Sequence, residues 1–459
     1  MFSSNVDVAI IGAGSAGISA QKLIRQHTDN YLLIDKGELG TSCARVGCMP
    51  SKALVEMARQ YHELSVLKSR GLILDGPQAQ IDGRAVMTEV RRLRDYFSDG
   101  MRQQTLRVGA RHLLRGRARL IDANTIDVDG KRITARTIIV AVGSRPVLPP
   151  LWQSMAPRLL DSDRFFELAA LPQKLAVIGL GSIGLELGQA CALLGGRVFG
   201  VDTQQRLGCL TDPAAIRYAC KALSGQMSLS LGHSPSLLDH GTEFEVRYAD
   251  QCQRSEQVLI SAGRRDNLDL LDMESLFVGR NINPASMQLG ELPVFVAGDS
   301  AGAPALVHEA IDEGQIAARN ALDYPKVRAY QRRVPLQITF TQPQLATVGS
   351  LYAELDIHSA LVAEVPLESQ GRLMLAGGGC GVLRIYADRS GKLLGAELVS
   401  PDAEHLAHII AVWLTAQWSV SDALQQPFYH PTLGEALRTA LLQLAGKLGF
   451  SQDNQPRPV

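Results

Sequence analysis

Apolar positions along the chain follow one grammar, used twice, before residue 335 and another after it. Residues 6–11 (Val-Asp-Val-Ala-Ile-Ile) are almost continuously apolar, the pattern of a strand covered on both faces. A helical run follows over 18–27, then a second apolar strand at 31–34 that ends at Asp35. The succession returns with a strand at 175–178, a helix that runs on through Leu194, and a strand at 197–201 that ends at Asp202. From Pro335 onward, residues 336–340 and 346–348 alternate like half-buried strands. Residues 382–386 and 393–398 read as a hairpin across Asp388-Arg389-Ser390-Gly391, and a helical run over 403–418 follows.

The segments between strand and helix give the first two units their chemistry. Gly12-Ala13-Gly14-Ser15-Ala16-Gly17 joins the first strand to its helix, and Gly179-Leu180-Gly181-Ser182-Ile183-Gly184 does the same in the second unit. This is the βαβ dinucleotide fingerprint in its required context. The first glycine permits the tight turn, the second lets backbone approach a pyrophosphate, and the third allows helix and strand to touch. The helix N-terminus offers amide donors to phosphate. Asp35 and Asp202 each stand 23 residues after the first glycine of their loop, where an acid accepts ribose hydroxyls. Two such units imply two dinucleotides and electron transfer between them. The fold class is therefore α/β, with two Rossmann-like dinucleotide-binding domains and a C-terminal α+β domain.

Composition narrows the function classes. A chain of 459 residues is too long for one core and fits two to four domains. The 46 basic and 46 acidic residues cancel, and no basic tract points to nucleic acid or an anionic membrane. Seven cysteines, an odd number on a long chain, do not read as a secreted disulfide framework. The N-terminus runs into a strand without a basic n-region or cleavage site. The longest apolar stretch, 407–416, contains His408 and is too short to span a bilayer. The expectation is a cytoplasmic protein, where a functional cysteine pair is catalytic rather than structural.

Such a pair lies in Thr41-Ser42-Cys43-Ala44-Arg45-Val46-Gly47-Cys48-Met49-Pro50-Ser51-Lys52. In an ideal helix, residues five apart have Cα atoms roughly 8–9 Å apart. A disulfide needs about 4.4–6.8 Å. If Cys43 and Cys48 bond, the backbone between them is distorted, which Gly47 eases. Two buried thiols are the plainer alternative. A zinc site would need two further ligands, and none lie near in sequence.

Taken together, the motifs resemble the pyridine nucleotide–disulfide oxidoreductases, most closely the dihydrolipoamide dehydrogenase pattern. The signatures follow family order: residues 12–17, 43–52, Ala141-Val142-Gly143-Ser144-Arg145-Pro146, residues 179–186, Ser261-Ala262-Gly263-Arg264-Arg265 with Asn267, Val296-Ala297-Gly298-Asp299, and His430-Pro431-Thr432-Leu433-Gly434-Glu435. The resemblance implies that the first unit binds FAD through Gly12, Gly14, Gly17, Asp35, Lys52, Gly143 and Asp299, with Gly116 and Ala118 passing the adenine. It implies that Gly179, Gly181, Gly184, Glu186, Asp202 and Gly263 serve NAD. Cys48 is then the flavin-side charge-transfer thiol and Cys43 the interchange thiol. His430 is the acid–base, Glu435 orients it, and Lys52 pairs with Glu186 beside the flavin. The implied reaction is dihydrolipoamide plus NAD to lipoamide plus NADH. The implied assembly is a homodimer in which His430 of one chain serves the cysteines of the other, with a lipoyl-bearing protein as a candidate partner.

The implied layout is an FAD domain at 1–148 and 271–333, an NAD domain at 149–270, a dimerisation domain at 334–450 and a loose tail at 451–459. Glu435 also has the spacing of a capping-box acid, and a carboxylate serving the helix start is expected not to face His430 equally well. Three positions depart from the dihydrolipoamide dehydrogenase pattern: Phe428 replaces a second histidine, Ala44-Arg45 replaces Leu-Asn, and Asp266 replaces a proline. The rim of the substrate channel is therefore expected to differ. The alternatives are a reductase of another small or protein-borne disulfide, or a flavin-bound redox-sensing module. Mercuric ion reduction is disfavoured, because no cysteine pair follows at the C-terminus. Cys191, Cys209, Cys220, Cys252 and Cys380 match no motif and read as structural.

Overall fold

The computed structural model describes residues 4–73, 80–302, 304–356 and 358–449, so the expected tail lies outside them. The chain forms two compact units. One comprises Met1–Pro50, Glu89–Val147 and Gly263–Arg332, the other Ser51–Thr88, Leu148–Ala262 and Arg333–Val459.

In the first unit a seven-stranded sheet is built around the strand Asn5–Ile11. It pairs in parallel with Tyr31–Asp35 on one side and Lys131–Val140 on the other. Ile10 lies opposite Leu33 and Ile139, all fully buried. The strand reads as nearly all apolar because its two faces enter two cores. Val8 and Ile10 pack with Ile24, Leu33 and Ala317, while Ala9 and Ile11 pack with Leu32, Ile34 and Val140. Each such side chain contributes about 1.5–3 kcal/mol on leaving water. The helix over Ser15–Ile24 ends three residues before the predicted 27, because Arg25 already caps it with hydrogen bonds to Gln21 and Leu23.

The second unit repeats the arrangement. Its parallel sheet runs Ser228–Leu231, Arg197–Asp202, Lys174–Ile178, Gln257–Ile260, with the helix Ser182–Leu193 after the first strand of the motif. The C-terminal residues form a five-stranded antiparallel sheet, including the Val382–Ala387 and Leu393–Ser400 hairpin. The helices Ala403–Thr415 and Gly434–Lys447 cover it through Leu406, Ile410, Trp413, Leu437 and Leu441.

A buried polar cluster ties the Pro213–Leu223 helix to that sheet. Glu397, fully buried, accepts from the backbone N–H groups of Thr211 (2.7 Å), Asp212 (2.8 Å) and Tyr352 (3.0 Å) and from the Thr211 hydroxyl. Asp212 accepts from Arg384 Nε (2.7 Å), the Tyr386 hydroxyl (2.9 Å) and Ala214 N–H (2.8 Å). Carboxylates this deep are tolerated only when their lone pairs are filled. Burial pushes the Tyr386 phenol far up, so it stays a donor.

In the first unit, the segments Ser144–Pro146 and Arg264–Asp266 pair antiparallel. Arg145 braces them, gripping Asp269 with both terminal nitrogens (3.0 and 2.5 Å) and Asn267 Oδ1 at 2.7 Å. The Arg145 hydrogen bond, helped by Arg265 and opposed by partial burial, pulls the Asp269 carboxyl down to about 2 from 3.8. A depressed carboxyl stabilises the fold above its ordinary value and loses that contribution as pH falls through the folded value. We therefore expect Asp269→Asn to lower the thermal unfolding midpoint at pH 7. The gap to the unsubstituted protein should narrow steadily below about pH 4, the ordinary carboxyl range. A gap independent of pH would show that the brace is not ionic.

Candidate active site

The two glycine loops are built alike. In the first, a Cβ on Gly17 would lie 1.8 Å from the Gly12 carbonyl oxygen, and in the second a Cβ on Gly184 would lie 2.1 Å from that of Gly179. These glycines let the helix start against the strand end. Gly12 and Gly179 also hold φ of +106° and +96°, where a side chain is strained. Gly14 and Gly181 are different. Their φ values are −76° and −65°, and a Cβ at either would meet nothing within 4 Å. Neither backbone conformation nor protein packing requires glycine there, so the open space belongs to a ligand. No side chain caps either helix N-terminus, which leaves amide donors facing that space. The loops fit the pyrophosphates of two dinucleotides.

Each loop is held by its acid. Asp35 Oδ2 accepts from Ala13 N–H (2.7 Å) and Oδ1 from Gly37 N–H (2.8 Å). Asp202 repeats both bonds, with Leu180 N–H (2.6 Å) and Gln204 N–H (2.8 Å). Sequence reasoning assigned these acids only to ribose. They also tether the loop, and each oxygen keeps a lone pair for a ribose hydroxyl. Asp299 Oδ2 accepts from the Ser144 hydroxyl at 2.5 Å, and Gly143 N–H donates to Ser300 Oγ at 2.8 Å. Gly116 is required by packing, since a Cβ would press on Asp129 and Val128, and Ala118 is buried in a strand. Gly263, at φ +101°, accepts from Val147 N–H.

Cys43 and Cys48, both half-buried, flank a break between two helices, Ser42–Val46 and Cys48–Ser69. Gly47 makes the break at φ −124°, ψ −118°, and a Cβ there would stand 3.1 Å from Cys43 Cα. Thr41, just before, sits at φ +60°, strained for a β-branched residue, and its hydroxyl accepts from Ala44 N–H. Burial pushes the Cys191 and Cys209 thiols up to about 12 and raises those of Cys220 and Cys380, so none of these four is disposed to act as a thiolate.

In the second unit the structure brings Lys52 to Glu186 and His430 to Glu435. Lys52 Nζ lies 2.7 Å from Glu186 Oε2 and 4.8 Å from the centre of the Phe340 ring. Glu186, nearly fully buried, accepts Phe340 N–H on its other oxygen at 2.8 Å. Gln189, one turn on, holds Gln342 N–H the same way. Phe340 escaped the sequence reading because nothing local marks it; its Glu186 partner is 154 residues away.

His430 Nδ1 lies 2.9 Å from Glu435 Oε1, and Glu435 Oε2 accepts Thr432 N–H at 3.2 Å. Glu435 meets the histidine with one oxygen and the Thr432 N–H ahead of the helix with the other. The helix begins at Gly434, and the Thr432 hydroxyl donates to Tyr429 O instead of capping. The His430 hydrogen bond, then Thr432 N–H, hold the Glu435 carboxyl below its usual range. The imidazole is 81% exposed, and its Nε2 faces away from the carboxylate. Such a pair can fix one tautomer and pass a proton at Nε2.

Two dinucleotide loops, a paired-cysteine helix break and an oriented imidazole define a nucleotide-dependent thiol–disulfide oxidoreductase. The family pattern "pyridine nucleotide-disulphide oxidoreductase" matches residues 6–314, and its dimerisation domain matches residues 336–441. The chain belongs to this family, whose cofactors are FAD and NAD(P). It is 28% identical to a mercuric reductase of Staphylococcus aureus, over 95% of this chain and 82% of that protein. It is 27% identical to a dihydrolipoyl dehydrogenase of Bacillus subtilis, over 96% and 98%. Among solved structures, LpdA of Mycobacterium tuberculosis is similar with a TM-score of 0.82 at 25% identity, covering 96% of this chain and 100% of that one. The HOCl-induced flavoprotein disulfide reductase RclA of Escherichia coli gives 0.80 at 21%, covering 95% and 99%. Among the described residues no helix is long and apolar enough to cross a membrane.

The three departures from the dihydrolipoamide dehydrogenase pattern each have a local task. Phe428 packs against the C-terminal core, Arg45 pairs with Glu38 at 2.5 Å, and Asp266 accepts Leu268 N–H at 3.0 Å.

The glycine argument separates two kinds of substitution. Gly184→Ala should lower the thermal midpoint, at a cost of about 1–3 kcal/mol for overpacking against backbone. Gly181→Ala should leave that midpoint nearly unchanged and weaken nicotinamide-nucleotide binding, measured by calorimetry. Equal effects of the two on stability would defeat the assignment of the open space.

Proposed function

We propose that the protein is an NAD-dependent dithiol–disulfide oxidoreductase that oxidises dihydrolipoamide. The observation that carries this reading is the exposed imidazole of His430, oriented by Glu435 and presenting Nε2 outward. His430 takes a proton from a substrate thiol. The thiolate attacks Cys43 Sγ of the Cys43–Cys48 disulfide, and Cys48 leaves as a thiolate. The second substrate sulfur displaces Cys43 from the mixed disulfide, so the substrate is oxidised by two electrons and the protein pair is reduced. When bound, FAD supplies the two-electron relay from the reduced pair to NAD. Lys52, held by Glu186 against the Phe340 ring, would supply positive charge to a reduced flavin.

Similarity to dihydrolipoyl dehydrogenases over nearly the whole chain supports the substrate class. The local tasks of Phe428, Arg45 and Asp266 support it too, because none of them needs a new substrate as its explanation. Asp202 supports NAD over NADP, since its carboxylate suits ribose hydroxyls and repels a 2′-phosphate. The second reading is NAD(P)H-dependent reduction of another disulfide. The protein is read as cytoplasmic. A panel of dihydrolipoamide, lipoamide, glutathione disulfide and protein disulfides, followed by nicotinamide absorbance with either nucleotide, decides between them. The expected result is fastest turnover of the lipoyl pair and at least about a tenfold preference for NAD(H), the scale of one well-placed charged contact. Faster turnover of another disulfide, or parity with NADPH, selects the second reading.

A homodimer is supported by the dimerisation-domain match and by the exposure of His430, which suits service to a partner chain. Co-expressed Cys48→Ser and His430→Ala chains test it. A shared site puts both defects at one end of a hybrid dimer and none at the other, so activity returns. Purified hybrids that stay as inactive as the parents would rule out the shared site.

A further inference from the structure

The Glu435 bridge leaves a question about what holds the loop it acts on. Pro431 has no N–H to give. Phe428 anchors one flank of the loop by packing on the C-terminal core, and Thr432 ties the other flank by hydrogen bonds. Its N–H donates to Glu435, its hydroxyl to Tyr429 O at 2.7 Å, and its carbonyl accepts Gln370 Nε2 at 2.9 Å. Gln370 lies 62 residues away in sequence. Its other amide atom, Oε1, accepts Leu373 N–H at 3.0 Å and caps the short helix Gly371–Leu375. A carbonyl only accepts and an N–H only donates, so the two partners leave one orientation for the Gln370 amide. The residue is itself firmly seated: Gln370 N–H bonds Leu367 O, and the N–H of fully buried Leu367 bonds Gly381 O.

We propose that Gln370 is a positioning residue for His430, acting through Thr432 and Glu435. One side chain bridges the Gly371–Leu375 cap and the Thr432 carbonyl, and so sets where Thr432 N–H meets Glu435. Glu435 in turn sets the tautomer and direction of the imidazole. The proposal rests on the reading of His430 as the acid–base group.

Two variants test it in the full-length, FAD-loaded protein. Gln370→Asn keeps a good helix cap but is one methylene too short to span both partners. Gln370→Glu keeps the length and the cap, but an ionised carboxylate cannot donate to a carbonyl. With lipoamide and NADH as the probe pair, each should lower kcat about tenfold, a part of what an acid–base group supplies, with KM changed less than about twofold. In spectra of protein with ¹⁵N-labelled histidine, the His430 signals, assigned by their loss in His430→Gln, should pass from one tautomer to a mixture in both variants. Added to His430→Gln, the Gln370→Asn change should have almost no further effect on kcat, as for residues acting through one another. Unchanged tautomer signals would overturn the proposal, as would an equal further loss of kcat in the His430→Gln background. If His430→Gln retains full turnover the acid–base reading fails, and if lipoamide is not turned over the substrate reading fails; in either case the tautomer spectra alone decide whether Gln370 positions the imidazole.

Discussion

A helix laid against a strand end at less than side-chain distance is the constraint on which both nucleotide folds depend. The contact of Gly17 with the Gly12 carbonyl, and of Gly184 with that of Gly179, leaves no room for a methyl group. Only that closeness brings a helix N-terminus to the end of the parallel sheet, where its unpaired amides meet a phosphate. The acid at the end of the next strand then tethers the loop, in the first unit through Ala13 and in the second through Leu180. The bond lengths of the two tethers agree closely, as expected where one backbone solution is used twice.

Buried carboxylates do the other organising work. Glu397 and Asp212 join the Pro213–Leu223 helix to the C-terminal sheet, and Glu186 holds the Phe340 backbone while pairing with Lys52. In each case the acid is almost inaccessible to water, and N–H or O–H donors fill its lone pairs. Losing a donor leaves a desolvated charge, which is costlier than losing an ordinary hydrogen bond. Such clusters tolerate few alternative arrangements, so they favour a single placement of the elements they join.

The histidine site is organised by the opposite principle, since it stands in solvent. His430 is highly exposed, and burial does not hold it. Its order comes from a chain of hydrogen bonds through Glu435 and Thr432 to Gln370. An exposed base keeps access to a substrate or a partner chain, and a hydrogen-bonded chain supplies the direction that packing cannot. The carboxylate splits between two donors because its two oxygens carry separate lone pairs and can face different ways.

Much of this was written in the sequence. Continuous apolar runs announced the buried parallel strands, and glycine spacing announced the loops, because both are set by contacts within about thirty residues, the length of a βαβ unit. The cysteine pair and the His-Pro-Thr-Leu-Gly-Glu segment were legible for the same reason. Local reading gave Glu435 two roles, at the helix start and at His430, and the carboxylate meets a donor in each place. The partners of Glu186 at Phe340 and of Gln370 at Thr432 lie 154 and 62 residues apart. Nothing in the spacing of such residues marks them, since only the packing of helix on sheet brings their donors and acceptors within reach. The sequence by itself determined the folds and marked the candidate reactive groups; the tertiary structure decided which groups hold them in place.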